Sequence, residues 1–130
     1  MKTHLSLATT DLARSVDFYS TLLDAAPAKL LPDYALFITE RPGLELALDA
    51  VDSPPRIGRD HYGIFVESAG EVENAIERLK AAGLASQIER ETTCCYANQT
   101  KVWATDPMGR RWEIYTVHEE IGEPGACCTA

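Results

Sequence analysis

The sequence predicts an α+β fold of two βαβββ modules, with strands curled into a half-barrel, helices outside and a cleft on the concave face. Three observations predict it. A short alternating run is followed by an amphipathic helical stretch and then by further strands. The same order of parts recurs in the second half. A segment rich in proline and glycine separates the two halves. The modules cover about residues 1–51 and 59–118 of a single domain, 1–118. The remaining residues, 119–130, have no periodicity and read as a flexible tail that carries cysteines.

The first module opens on His4-Leu5-Ser6-Leu7, whose alternation predicts a strand with Leu5 and Leu7 on one face. Asp11 stands where an N-cap belongs, ahead of Leu12, Val16, Tyr19 and Leu23, which share one helical face. Pro27 follows that helix. Residues 34–39 and 44–48 then read as strands around a Pro42-Gly43 turn.

The second module opens on a strand from His61 to Val66. Val72, Ala75, Ile76 and Leu79 form the apolar face of a helix that stops at Gly83. Glu71 and Glu73 near its start, with Arg78 and Lys80 near its end, suit the helix dipole. Residues 85–90, 99–105 and 111–117 are the remaining strands, with 91–98 as a loop and Asp106-Pro107-Met108-Gly109 as the last turn. Residues 52–58, Asp-Ser-Pro-Pro-Arg-Ile-Gly, join the halves.

Composition excludes several classes of function. In a chain of 130 residues, 45% are hydrophobic and 25% charged, which is ordinary for a folded domain. A net charge of -8 leaves no basic stripe to displace counterions from a nucleic acid. No apolar run approaches the ~20 residues that span a bilayer, and residues 1–10 lack the pattern of an export signal. The four cysteines form two adjacent pairs, Cys94-Cys95 and Cys127-Cys128. Neighbouring Cα atoms lie ~3.8 Å apart, below the ~4.4 Å at which disulfides usually begin. Reduced thiols in a cytoplasmic protein are therefore expected.

Strand parity points to a metal. If Leu5 and Leu7 face the helix, His4 and Ser6 face the cleft. By the same rule His61 and Gly63 face it opposite Tyr62 and Ile64, and Glu113 and Tyr115 face it opposite Trp112 and Ile114. His4 and His61 open equivalent strands, and Glu113 lies on the last one. Each residue alone could be an incidental surface group; their matching positions in the two halves decide for a site. Two imidazoles and one carboxylate suit Fe(II) with positions left open, and can equally hold Zn, Mn, Ni or Co. Glu45, of the same parity, is either a fourth ligand or an exposed neighbour of the site, and the second reading is preferred. His118 is placed beyond the last strand as a surface residue. Tyr96, Gln99, Lys101 and Tyr115 stand near the cleft without an assigned role, Lys101 as a solvated strand residue.

The two halves, His4 and His61 at equivalent strand starts, and Asp106-Pro107-Met108-Gly109-Arg110-Arg111-Trp112-Glu113-Ile114 together resemble the vicinal oxygen chelate superfamily. That superfamily includes glyoxalase I, extradiol dioxygenases, fosfomycin-resistance enzymes and bleomycin-binding proteins. The resemblance runs from about Lys2 to Val117. Within it, Thr93-Cys94-Cys95-Tyr96-Ala97 is similar to the ArsI-type carbon–arsenic lyases and, more loosely, to cadmium-induced proteins. Paired thiolates are soft ligands suited to trivalent arsenic, Cd or Hg.

The resemblance implies a non-haem Fe(II) enzyme that uses dioxygen to cleave the carbon–arsenic bond of trivalent organoarsenicals and release arsenite. It places iron on His4, His61 and Glu113, and arsenic on Cys94 and Cys95. Cys127-Cys128 either passes arsenicals inward or is inessential for turnover, and the latter is preferred. A protein that only sequesters Cd or arsenic, a glyoxalase-like isomerase and an antibiotic-modifying thiol transferase are the alternatives. The partner is a small molecule, neither nucleic acid nor membrane, and homodimer formation is left open.

Overall fold

The computed structural model describes residues 1–94 and 97–120; of the side chains at 93–97, 119 and 120 nothing is stated. Two compact units emerge. The first comprises Met1–Asp60 with Thr105–Arg110, and the second His61–Ala104 with the residues from Arg111 onward. Among the described residues no helix is long and apolar enough to cross a membrane.

The first unit runs β1 (Thr3–Thr9), α1 (Leu12–Leu23), β2 (Lys29–Leu31), β3 (Tyr34–Glu40) and β4 (Gly43–Ala50), with sheet order β1-β4-β3-β2. β1 and β4 are parallel, in a register that sets His4 against Glu45 and Leu7 against Leu48. The other pairings are antiparallel. Asp11 caps α1 as expected, its carboxylate accepting the Arg14 N–H at 3.1 Å. The helix ends on Asp24 in the left-handed region, φ 51°, a conformation that a short polar side chain tolerates. Phe18, Tyr19, Leu22 and Leu23 are buried, as are Phe37, Leu46 and Leu48 of the sheet.

β2 is an addition to the sequence reading. Its three residues are all exposed and show no alternation. The strand exists because Lys29, Leu30 and Leu31 pair with β3, so it is a product of tertiary pairing with no local signal.

The turn within Thr105–Arg110 belongs to the first unit, and a carboxylate organises it. Oδ1 of Asp106 accepts the backbone N–H groups of Met108 and Arg110, each at 2.9 Å. Oδ2 accepts the Tyr19 hydroxyl at 2.6 Å and the Arg110 guanidinium at 3.1 Å. Arg110 also donates to the Ala8 carbonyl at 2.9 Å. Gly109 sits at φ +99°, where a side chain would strain the backbone. The Asp-Pro-Met-Gly turn expected from the sequence is thus a buried hydrogen-bond hub.

The second unit runs β5 (His61–Phe65), α2 (Ala69–Ala81), β6 (Ala85–Cys94), β7 (Ala97–Thr105) and β8 (Arg111–Glu120), in sheet order β5-β8-β7-β6. β5 and β8 are parallel. Ser68 caps α2 and accepts the Glu71 N–H at 3.2 Å, while the Glu71 carboxylate accepts the Glu67 N–H at 3.0 Å. Val72, Ala75, Ile76 and Leu79 are buried, as their spacing predicts. Gly83 follows at φ +72°.

Two boundaries are corrected. Residues 91–94, 97 and 98, expected in a loop, lie in strands: Thr92 pairs with Gln99, Thr93 with Asn98 and Cys94 with Ala97. The polar composition concealed two β-branched threonines, which favour strands. A bulge with Glu91 at φ 48° interrupts the ladder; its N–H donates to the Thr100 hydroxyl, and its carbonyl accepts from Asn98. β8 continues through Glu120, so His118 lies within the last strand and not beyond it. Its ring is exposed, yet Nε2 lies 2.7 Å from the Thr100 hydroxyl. Cys95, Tyr96, Cys127 and Cys128 lie outside the described residues.

Replacing Asp106 by Ala strands a buried guanidinium and is expected to cost about 3–5 kcal/mol in urea unfolding. Tyr19→Phe removes one hydrogen bond and is expected to cost about 1–2 kcal/mol.

Candidate metal centre

Each parallel pair of strands carries an imidazole and a carboxylate on one face. In the first unit His4 Nδ1 lies 3.3 Å from Glu45 Oε1, and the next pair along, Ser6 and Asp49, is hydrogen-bonded at 2.9 Å. The His4–Glu45 pair is open to solvent, with side chains 56% and 43% exposed. In the second unit His61 Nε2 lies 3.0 Å from Glu113 Oε2. Here the register is offset, for Glu113 pairs with Gly63 and His61 with Arg111. The imidazole therefore reaches the carboxylate diagonally across the same face.

Gly63 makes that reach possible. A Cβ on it would stand 3.0 Å from Tyr115 Cε1 and 3.3 Å from Glu113 Cγ. Without one, both side chains lean over the glycine. His61 packs edge-on to Trp103, ring centroids 5.1 Å apart, and the Arg111 guanidinium lies 4.5 Å from the centroid of the same Trp103 ring. The Trp103 indole N–H donates to Glu89 at 2.9 Å.

Glu113 is 6% exposed, so its charge requires a partner within the protein. Lys101 supplies one, with Nζ 3.3 Å from Oε1. The expectation of a solvated Lys101 is overturned, since the residue is only 3% exposed. The strand expected over 99–105 includes Lys101, but nothing local reveals that β7 lies beside β8. Tyr115 packs against Phe65 at 5.7 Å. Burial, and to a lesser degree the charge of Glu113, push its hydroxyl above the ordinary tyrosine range.

The structure thus joins His61 to Glu113, and His4 to Glu45, with the two pairs in different units. Cys94 ends β6, and Cys95 is outside the described residues. Among the described residues no three His, Cys, Asp or Glu side chains stand together as a metal-holding group. What each unit offers is a two-donor pair. Donors about 2.1 Å from a metal and at right angles lie about 3.0 Å apart. The observed 3.0 and 3.3 Å fit that spacing. Imidazole with carboxylate is also the donor chemistry of divalent iron, zinc and manganese sites.

Gly63→Ala is expected to cost about 1–3 kcal/mol in urea unfolding by overpacking Glu113 and Tyr115. Gly58→Ala, with nothing within 4 Å of the added carbon, is expected to stay within about 0.5 kcal/mol of the parent.

Residues 3–114 match the family model described as Glyoxalase/Bleomycin resistance protein/Dioxygenase superfamily. A "trivalent organoarsenical cleaving enzyme" of Bacillus sp. (strain MD1) is 43% identical, covering 96% of this chain and 81% of that protein. One of the same name from Thermomonospora curvata is 41% identical over 98% and 88%. A "cadmium-induced protein CadI" of Mycobacterium tuberculosis is 44% identical over 98% and 92%. Among solved structures, a glyoxalase/bleomycin resistance protein/dioxygenase from Alicyclobacillus acidocaldarius superposes with a TM-score of 0.74 at 21% identity, covering 92% of each chain. The fosfomycin resistance protein FosX of Listeria monocytogenes gives 0.68, also at 21%, over 88% of this chain and 90% of that one. With the βαβββ topology of both units and a family match over nearly the whole described chain, this protein belongs to the glyoxalase/bleomycin resistance/dioxygenase superfamily, the vicinal oxygen chelate fold.

Proposed function

We propose that the protein is a non-haem Fe(II)-dependent dioxygenase that cleaves the carbon–arsenic bond of trivalent organoarsenicals and releases arsenite. One observation carries this reading. A chain 43% and 41% identical to proteins named for organoarsenical cleavage has a buried carboxylate 3.0 Å from an imidazole, a donor pair suited to a divalent metal. His4, His61 and Glu113 would hold the iron, which when bound supplies open positions for dioxygen chemistry. Glu113 contributes negative charge from a site it shares with Lys101, and Trp103 limits the swing of the His61 ring. Cys94 and Cys95 would bind arsenic as thiolates, bringing the arsenic-bound carbon to the metal and replacing a chance encounter by a positioned one. Thiols in this role must remain reduced, which fits a cytoplasmic protein.

A second reading, sequestration of Cd or arsenic, is favoured by the 44% identity to the cadmium-induced protein. It requires the thiols and makes no use of the imidazoles or of Glu113.

The test is anaerobic reconstitution with Fe(II), then methylarsenite and air, with the arsenic products separated and quantified. Arsenite is expected only with iron, dioxygen and both cysteines. His61→Ala and Glu113→Gln are expected to lower turnover by more than the roughly 10- to 100-fold typical of losing an outer partner of a metal ligand. They are expected to leave arsenical binding intact. Stoichiometric arsenical or Cd uptake without arsenite release would move the protein to the sequestering class.

A further inference from the structure

The two oxygens of Glu113 are divided between two neighbours. Oε2 faces His61 Nε2 at 3.0 Å, and Oε1 faces Lys101 Nζ at 3.3 Å. Both Lys101 and Glu113 are buried. The ammonium also lies 5.7 Å from the Trp103 ring centroid and 5.8 Å from that of Tyr115, within cation–π range of both. Lysine is almost never buried without such partners. Three neighbours therefore hold Nζ against Oε1, while His61 faces the other oxygen. A carboxylate free on both oxygens can ligate through one or both. Here one of them is already engaged by a fixed cation.

Resting on the reading of His61 and Glu113 as metal ligands, we propose that Lys101 is a positioning residue with two effects. It confines Glu113 to ligation through Oε2 alone, and it adds a positive charge beside the metal that favours an anionic ligand in the open positions. A one-oxygen carboxylate takes one of six octahedral positions, whereas a two-oxygen carboxylate takes two and leaves one fewer for other ligands. The charge follows from the same contact. A divalent ion with one glutamate carries a net +1, and the neighbouring ammonium raises the local charge to +2. Because the ammonium is buried and held 3.3 Å from the carboxylate, that increment acts on an incoming anion at short range. A lysine that merely neutralised Glu113 until metal arrived would be displaced by the ion and would affect neither property.

Co(II) and azide distinguish these roles without turnover. The full chain is compared with Lys101→Met, Lys101→Gln and Lys101→Arg, each checked for folding by circular dichroism. Visible absorption reports Co(II) coordination, and azide titration reports anion affinity. Lys101→Met is expected to weaken azide binding by about tenfold or more, as loss of a nearby unit charge requires. It is also expected to change the Co(II) spectrum as the second oxygen of Glu113 replaces a solvent ligand. Lys101→Gln, which can still donate to Oε1, is expected to keep the parent spectrum and lose azide affinity; Lys101→Arg is expected to keep both. Azide affinity and spectra equal to the parent in the Met and Gln variants would overturn the proposal while leaving the metal site standing. Failure of the parent itself to bind Co(II) would overturn the metal reading, and this inference with it.

Discussion

The chemistry of both units depends on the parallel pairing of their first and last strands. A parallel pair cannot be closed by a tight turn, so a helix must cross between the strands, and it occupies one face of the sheet. Side chains of the other face are left to meet across the pair. In the first unit β1 and β4 bring together His4 and Glu45; in the second β5 and β8 bring together His61 and Glu113. Neither pair could be formed by residues close in sequence, because in each case the partners are separated by the entire module. The site is a by-product of topology before it is a matter of individual contacts.

The two units use that topology in different registers, and their asymmetry follows. His4 and Glu45 are direct register partners and remain in solvent. Glu113 is opposite a glycine, so it can lean over the strand with Tyr115 and sink out of water. A buried carboxylate needs compensation. His61 offers a ring nitrogen, and Lys101 from β7 brings the formal charge. One missing Cβ thus leads, through burial, to the one buried lysine of the described chain. The Asp106 turn shows the same logic in the first unit, where a buried carboxylate is satisfied by two backbone amides, a tyrosine hydroxyl and a guanidinium.

Much of this was legible in the sequence, because it follows from periodicity and caps. The alternation at His4-Leu5-Ser6-Leu7, the Asp11 cap, the face of Val72, Ala75, Ile76 and Leu79, and the stop at Gly83 are all local signals, and all correspond to the structure. Parity also set His61 and Glu113 on one face. What stayed hidden depends on which strands become neighbours. β2 is made by its pairing with β3, the β6–β7 ladder runs on through polar residues, and Lys101 becomes an internal cation only because β8 lies beside β7. The Gly63 contact was within reach in part, since a glycine beside a ligand strand signals a close approach, but not which side chains would fill the space.

Overall likeness does not choose between the two functional readings. Relatives at 43% and 41% identity are named for cleaving organoarsenicals, and one at 44% is named for induction by cadmium. The distinction must come from groups that one activity uses and the other does not. Soft-metal capture is satisfied by thiolates, which need neither imidazole nor carboxylate. Burying Glu113 with Lys101 carries a desolvation penalty that a well-packed apolar pair of similar volume would avoid. A domain of this size gains no stability from such an arrangement that hydrophobic packing could not supply. Its presence beside an imidazole with an exposed edge supports the proposed reading, in which a charged donor is held at a fixed position.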